Sequence, residues 1–251
     1  MMRWFVGGLR AIYPLILLVL VWEAVARSGL VRPLFLPPFT TVLHQLYVTI
    51  IHGELLPPLL TSLYRTAAGL LLAMLVGVPI GFLMVRNRAM AWFFDPLVSF
   101  GNPAPKLALI PVFTLWFGID HLSKIMLVAL TTVFPFILSA AAGARSVALN
   151  QIWAARAMGS SEATLLWRVV LRASLPSLFS GLRVAVPTAL LTTFTAEMVA
   201  GGGLGGALIL AQRYFESPTV YAYLLVMLFC GYVLDVELLR LRRRLLHWHE
   251  G

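Results

Sequence analysis

Residues 59–88 read LLTSLYRTAAGLLLAMLVGVPIGFLMVRNR. From about Leu59 to Val85 the run is long enough to cross the hydrocarbon core of a bilayer, which takes about 20 apolar residues, and it stops at Arg86-Asn87-Arg88, whose charges belong in water. Gly69, Gly77 and Gly81 recur along it. The last two form a small-xxx-small pair, which lets a second helix approach closely. A membrane span with a glycine-lined packing face is the reading, and no chemistry need be added.

The rest of the chain agrees with this stretch. Of 251 residues, 60% are hydrophobic before the 19 glycines are counted, and only 12% are charged; a soluble domain carries roughly 25% charged residues. One aqueous domain would need polar surface that this composition does not supply. The expectation is a polytopic, all-α membrane protein. The whole chain, 1–251, is expected to form one transmembrane domain with no large soluble appendage.

Residues 9–26 form the first expected span. A cleaved signal peptide competes for the same residues, because Arg3 and Arg10 make a basic leader and Ala24-Val25-Ala26 mimics a cleavage site. We expect a retained span, followed by a polar, proline-bearing stretch through Pro58. Ala91 to Gly118 is apolar but interrupted by Asp95-Pro96, Asn102-Pro103, Pro105-Lys106 and Pro111, so it is not one straight helix. Further spans are expected at Ser123–Ala142, about Gly181–Ala200 and about Val220–Leu239, placing the core spans within about 59–239. Residues 143–178 mix arginines with short apolar groups and read as interfacial or aqueous helices. The glycine run Gly201 to Gly206 reads as a flexible turn, since no Lys-Ser/Thr follows it as in a phosphate loop.

Six spans with both termini cytoplasmic place Arg3, Arg10, Arg86, Arg88, Arg145, Arg156, Arg168, Arg172, Arg240, Arg242, Arg243 and Arg244 on one side, as the positive-inside rule requires. The opposite side receives mainly Arg27, Arg32 and Arg213. The formal charge of +9 is thereby a topology anchor near anionic lipid rather than a nucleic-acid surface. A single cysteine, Cys230, excludes an internal disulfide framework and a cysteine metal cluster. His247 and His249 are spaced too closely to share a helix face as metal ligands and read as part of a solvated tail.

On the cytoplasmic side of this topology lies the most informative loop, from Gln151 to Pro176. Ala154, Ala155 and Ala157 are small and lead to Gly159, a C-cap candidate. Ser160 or Ser161 starts a second helix, with Glu162 in its first turn. A short helix with small side chains suits the groove of a partner, although spacing alone admits a packing helix within the chain equally well.

Here the sequence resembles the permease subunits of ATP-binding-cassette (ABC) importers of the nitrate, sulfonate and taurine class. Ala154-Ala155, Gly159 and Leu175-Pro176 are similar to that family's coupling-loop motif, and Asn102 through Asp120 with Ser123-Lys124-Ile125 is a second match. Ser62-Leu63 and Arg65 leading into Gly69, Gly77 and Gly81, and Ala196-Glu197 before the glycine run, extend the likeness over nearly the whole chain. Trp153 stands where the motif's glutamate is usual, and Leu171-Arg172 where a first Leu-Pro would be expected.

The resemblance implies the MetI-like architecture of type I importers in a bacterial inner membrane. It also implies partners: a second permease copy forming a homodimer, two ATPase subunits, and an extracytoplasmic solute-binding protein. ATP and magnesium would be held by the ATPase subunits, because this chain has no phosphate loop and is expected to bind no cofactor. Coupling would pass through Ala154, Ala155, Arg156, Ala157, Met158, Gly159 and Ser160, with no covalent chemistry asked of the chain. The expected solute is a small anion such as a sulfonate, taurine or nitrate.

Ionisable groups at membrane depth are costly and usually face an interior or a cavity, which singles out Glu23, Lys106, Arg183 and Glu197. Glu23 and Arg183 lie near span ends and read more simply as snorkelling side chains. Lys106, with Asn102 beside it in the proline-broken segment, is the candidate for attracting an anionic solute. Glu197 would repel an anion, so it is expected to gate or to pair with a cation on a neighbouring helix. Trp116 and Phe117 read as interfacial belt. An ion-coupled transporter or channel would commonly show inverted repeats, which the two halves lack. A membrane enzyme would need a nucleophile and base or a metal cluster, and neither pattern is found in the spans.

Overall fold

A computed structural model describes the backbone of residues 2–246 and the side chains of residues 13–246. His247 and His249 lie outside the described residues. The described chain is helical: α1 (Met2–Arg27), α2 (Phe39–Ile51), α3 (Leu56–Arg86), α4 (Arg88–Gly101), a 3-10 turn (Lys106–Leu109), α5 (Ile110–Phe117), α6 (His121–Arg145), α7 (Leu149–Ala157), a single turn α8 (Glu162–Thr164), a π-helical stretch (Leu165–Val170), α9 (Leu171–Ala200), α10 (Gly203–Arg213) and α11 (Ser217–Leu245).

Leu56–Arg86, His121–Arg145, Glu162–Ala200 and Ser217–Leu245 are long and apolar enough to cross a membrane. The two other expected spans fall on α1 and on the broken unit of α4, the 3-10 turn and α5. Prolines mark the starts of α3, α5 and α11, where the missing N–H leaves no intrahelical bond unmade. Pro79, Pro135, Pro176 and Pro187 lie inside α3, α6 and α9, as membrane helices tolerate when neighbours cover the freed carbonyls.

Helix α6 is the centre, packed between α3 and α9. The glycine face of α3 meets it directly. A Cβ at Gly69 would stand 2.5 Å from Val128 Cγ1, one at Gly77 2.8 Å from the Val133 carbonyl, and one at Gly81 would overlap the Ile137 carbonyl oxygen. The opposite side of α6 is equally close: a Cβ on Gly143 would lie 2.7 Å from Ser174 Cβ, and one on Gly181 would overlap Ser139. Small residues let backbones approach, and dispersion contacts replace the hydrophobic drive that lipid does not supply.

Three expectations need correction. The stretch after the first span holds α2, whose 13 residues FTTVLHQLYVTII are apolar but too short to cross at about 1.5 Å per residue. It packs on α11, and Glu23 of α1 accepts hydrogen bonds from the Thr40 amide (3.2 Å) and hydroxyl (2.9 Å) in its first turn. The glycine run is not a flexible turn. Gly201 and Gly202 make a tight turn at φ +78° and +79°, while Gly203 to Gly206 form the first turn of α10, packed against α3, α9 and α11. Finally, the span expected from Gly181 belongs to a helix that starts at Glu162 and runs unbroken, through its π-helical stretch, to Ala200.

Candidate functional site

Two polar regions stand out in this apolar bundle. At the end holding the start of α3, Glu197 is wholly buried, and its Oε1 lies 2.8 Å from Arg65 Nη1, in a side chain only 4% exposed. Ser62 donates to Glu197 Oε2 at 2.7 Å, the Gly205 amide donates to the same oxygen at 3.2 Å, and the Leu204 amide donates to Ser62 Oγ at 2.9 Å. One turn deeper, Thr66 and Thr193 share a hydroxyl hydrogen bond of 2.9 Å. The carboxylate is thus held by one cation, one hydroxyl and one helix-start amide, a set that offsets the desolvation cost of burying it. Glycine is required opposite: Gly203, at φ +61°, lies so close that any Cβ would overlap the Glu197 carboxylate.

Beside this cluster lies a cavity of about 460 Å³ lined by Arg65, Ile119, Asp120, Lys124 and the Gly201-Gly202 turn. Lys124 is 2% exposed. Its ammonium donates to the Ile119 carbonyl and, at 3.3 Å, to the Asp120 carbonyl in the turn between α5 and α6. Among the described residues, Arg65 Nε is buried with no hydrogen-bond partner.

The second region is the loop around α7. Helix α7 ends in a Schellman motif: the Gly159 amide donates to the Arg156 carbonyl (2.9 Å) and the Ser160 amide to the Ala155 carbonyl (3.1 Å), with Gly159 at φ +76°. Ser161, rather than Ser160, caps the next helix, its hydroxyl accepting from the Thr164 amide at 3.2 Å. Glu162 reaches both Arg86 at the end of α3 (3.2 Å) and Arg156 on α7 (3.1 Å). Ala155 is buried, facing a cavity of about 810 Å³ lined also by Arg168 and Arg172. Ala154, Arg156, Ala157, Met158 and Gly159 are exposed, as is Trp153.

The remaining candidates are placed separately. Lys106 donates to the Asn102 carbonyl at 2.6 Å and sits 4.9 Å from the centre of the Phe134 ring, so Lys106 and Asn102 meet each other but do not line the Arg65–Lys124 cavity. Glu23 pairs with Arg27 (2.6 Å) and Arg183 stands 3.6 Å from a half-exposed Asp235. Trp116 is exposed, whereas Phe117 packs on the Ile110, Phe113, Leu127 and Ala196 cluster. Arg65, Lys124 and Ser62 were not singled out from sequence as site residues. The signal was present, since Arg65 and Lys124 are ionisable groups inside expected spans and the reasoning that selected Glu197 applies to them.

The fold and these two regions define a helical membrane protein with a polar cluster at one end and a short exposed helix on a long loop. The sequence pattern of binding-protein-dependent transport system inner membrane components matches residues 69–247, and the chain belongs to that family. It is 35% identical over 241 residues to the taurine transport system permease protein of Escherichia coli (strain K12), covering 94% of this chain and 88% of that one. It is 30% identical over 235 residues to a permease protein of Bacillus subtilis (strain 168) whose name assigns it to aliphatic sulfonates, covering 93% and 85%. A formylaminopyrimidine transport permease protein of Halalkalibacterium halodurans is 28% identical over 237 residues, covering 94% of each chain. Among solved structures, the inward-facing MetNI methionine ABC transporter contains a chain that superposes with a TM-score of 0.66 at 18% identity, covering 74% of this chain and 93% of its own length. The fold is therefore the MetI-like fold, and the chain is an inner-membrane permease component of an ABC importer, a transport subunit rather than an enzyme.

Proposed function

We propose that two copies of this chain form the pathway of an ATP-driven importer for a small organic anion of the sulfonate or taurine kind, delivered by an extracytoplasmic binding protein. Two cytoplasmic ATPase subunits bind and hydrolyse ATP with Mg²⁺ and act on the pathway through α7. The observation that carries this reading is the exposed tip of α7, with Trp153 64% and Met158 79% exposed. That helix is capped at Gly159 and tied by Glu162 to the end of α3.

A force applied to α7 by closing ATPases is passed to α3 through Arg86 and to α9 through the continuous helix that begins at Glu162. ATP thereby shifts the population between inward-open and outward-open arrangements, because the ATPase pair binds nucleotide better in one of them. The exposed residues Ala154, Arg156, Ala157 and Met158 form the docking face, while Ala155 and Gly159 set its shape. Both termini face the cytoplasm, which gathers the arginines at the ends of α3, α6 and α11 with those on α7 on the side of anionic lipid. The Arg65–Glu197 cluster then lies toward the extracytoplasmic end.

Reconstitution in liposomes with the cognate ATPase and binding protein tests the reading. Uptake of labelled taurine or ethanesulfonate is expected only with all three components and internal-facing ATP; uptake driven by an ion gradient without the ATPase overturns it. In a Cys230→Ser background, an impermeant thiol reagent added outside should modify Ser28→Cys and spare Ser160→Cys, and the reverse pattern overturns the orientation.

A further inference from the structure

The open cavity beside the Arg65–Glu197 pair has an unusual electrostatic composition. Two cations, Arg65 and Lys124, are buried at its wall, against one buried carboxylate, Glu197. That carboxylate is already engaged by Ser62, Arg65 and the Gly205 amide, so it neutralises one of the two. Lys124 satisfies its ammonium only with carbonyl dipoles of the α5–α6 turn, and among the described residues no carboxylate lies within ion-pair distance of it. Asp120 contributes a carboxylate at the rim, where its side chain is 86% exposed and water screens it.

Arg65 is incompletely used. Its guanidinium bonds Glu197 through Nη1, yet Nε is buried and unpartnered. An unmade hydrogen bond of a buried charged group is costly, and such groups in native structures call for a partner. The space next to the guanidinium is kept open by backbone choice. A Cβ at Gly202 would stand 3.1 Å from Nη2 and 3.2 Å from Nη1, and Gly202 holds φ +79°, so a side chain there would be strained and would crowd the cation. The cavity, of about 460 Å³, is open on one side, so it has room for a small charged head group with the rest of the molecule outside.

We propose that this cavity is the port at which the permease receives the anionic head of its solute, with Lys124 and the Arg65 guanidinium, both in its wall, as the receiving groups and Glu197 as the base of the Arg65 mount. The proposal rests on the reading of the chain as a permease for a small organic anion, and it assigns the recognition of charge to Lys124 and Arg65 rather than to Lys106. Glu197 does not repel the solute, because its charge is spent on Arg65, with Ser62 and the Gly205 amide as its other two donors. A planar guanidinium suits a sulfonate or carboxylate oxygen, and the compact ammonium supplies the second charge.

The experiment uses the assembled importer, with Cys230→Ser removing the native thiol and Ile119→Cys placing one thiol at the cavity rim. Two methanethiosulfonate reagents of similar size are compared, one carrying a sulfonate and one a trimethylammonium, each normalised to its rate with free cysteine. A surplus positive charge in the wall of a cleft raises the local anion concentration, so the sulfonate reagent is expected to react about tenfold faster at position 119 than its cationic counterpart. Lys124→Gln should remove that preference, and Lys124→Arg should keep it.

Because Lys124→Gln also loosens the α5–α6 turn, a second measurement is made in the Ile119→Cys protein itself. Millimolar ethanesulfonate should slow labelling severalfold, while the same concentration of choline should not. Equal normalised rates for the two reagents, or a preference untouched by both Lys124→Gln and ethanesulfonate, overturn the port. If the complex imports a sulfonate while rates at 119 are equal, the port fails and the solute reading stands. If the complex takes up only solutes that carry no sulfonate or other anionic group, the solute reading fails whatever the rates at 119.

Discussion

Arg65 Nη1 and Glu197 Oε1 lie 2.8 Å apart although their residues are 132 positions apart in the chain. The pair fastens α3 to α9 at the point where α9 ends and the Gly201-Gly202 turn begins. Ser62 and the first amides of α10 complete the joint, so three elements meet on one carboxylate. In a bundle whose other close contacts are glycines against neighbouring side chains and carbonyls, this is where polar bonding joins small-residue packing in fixing how helices meet. Any rearrangement that opens this end must carry these groups together or break their bonds one by one.

Breaking the pair on one side should therefore cost far more than removing it. Glu197→Ala leaves a buried guanidinium uncompensated, and loss of one member of such a pair typically costs about 3–5 kcal/mol. We expect a strongly lowered melting temperature of the detergent-purified complex for Glu197→Ala and for Arg65→Met, and a double variant that melts above at least one single variant. Purely additive losses in the thermal-shift assay would show that the two side chains act independently.

Gly81 and Gly231 are both helical glycines with opposite surroundings. A Cβ at 81 overlaps the Ile137 carbonyl and comes within 2.7 Å of Ala140 Cβ, whereas one at 231 has nothing within 4 Å. Gly81→Ala should force α3 and α6 apart, at a cost of roughly 1–3 kcal/mol for overpacking a close contact. Gly231→Ala should leave stability unchanged or raise it slightly, since alanine is the better helix former. Folded yield by fluorescence-detected gel filtration distinguishes the two, and equal behaviour would place the helix contact elsewhere.

The ease with which Gly81 was recognised, and Ser62 overlooked, shows what a sequence of this kind reveals. Apolar run length finds spans because a bilayer imposes it, so α3, α6 and α11 were legible to within a few residues at each end. The glycine spacing was legible for the same reason, although nothing in it named α6 as the partner. Helix α2 was lost because 13 apolar residues satisfy no membrane length, and its stability comes from α11 and the Glu23 cap, which are long-range. Gly203 to Gly206 were misjudged because a glycine run predicts freedom, whereas here each small residue admits a neighbour: the Glu197 carboxylate at 203, the Phe194 carbonyl at 205. Pairing between Arg65 and Glu197 could be suspected from charge at depth, but only the fold chooses Arg65 over Lys106 or Arg183.

Glu162 should matter to transport without mattering to stability. Its two ion pairs, with Arg86 and Arg156, are half exposed, and exposed pairs contribute about 0–1 kcal/mol. What they provide is a link between α7 and the end of α3. Glu162→Gln is expected to leave the melting temperature within a degree or two while lowering the ATPase stimulation produced by the loaded binding protein. Normal stimulation would mean that motion passes to the bundle only through the helix that continues from Glu162 to Ala200.

The sharpest test of coupling separates the two faces of α7. Trp153 and Met158 project away from the chain, and Ala155 faces back toward Arg168 and Arg172. Met158→Glu and Trp153→Ala change only a surface that a partner would cover, so both should reduce co-purification of the ATPase while the permease retains its own melting temperature. Loss of a central aromatic or apolar anchor commonly costs about 2 kcal/mol or more of binding, equivalent to at least a tenfold weaker complex. Ala155→Glu should behave differently, because the new carboxylate enters a partly enclosed space within the same chain beside two arginines; it is expected to shift the permease's own stability along with its affinity for the ATPase. Gly159→Val should lower both as well, since a β-branched residue resists the left-handed conformation that the Schellman motif requires. Unchanged ATPase binding in Met158→Glu and Trp153→Ala, measured by quantitative pull-down from detergent, would show that the exposed tip of α7 is not the docking face.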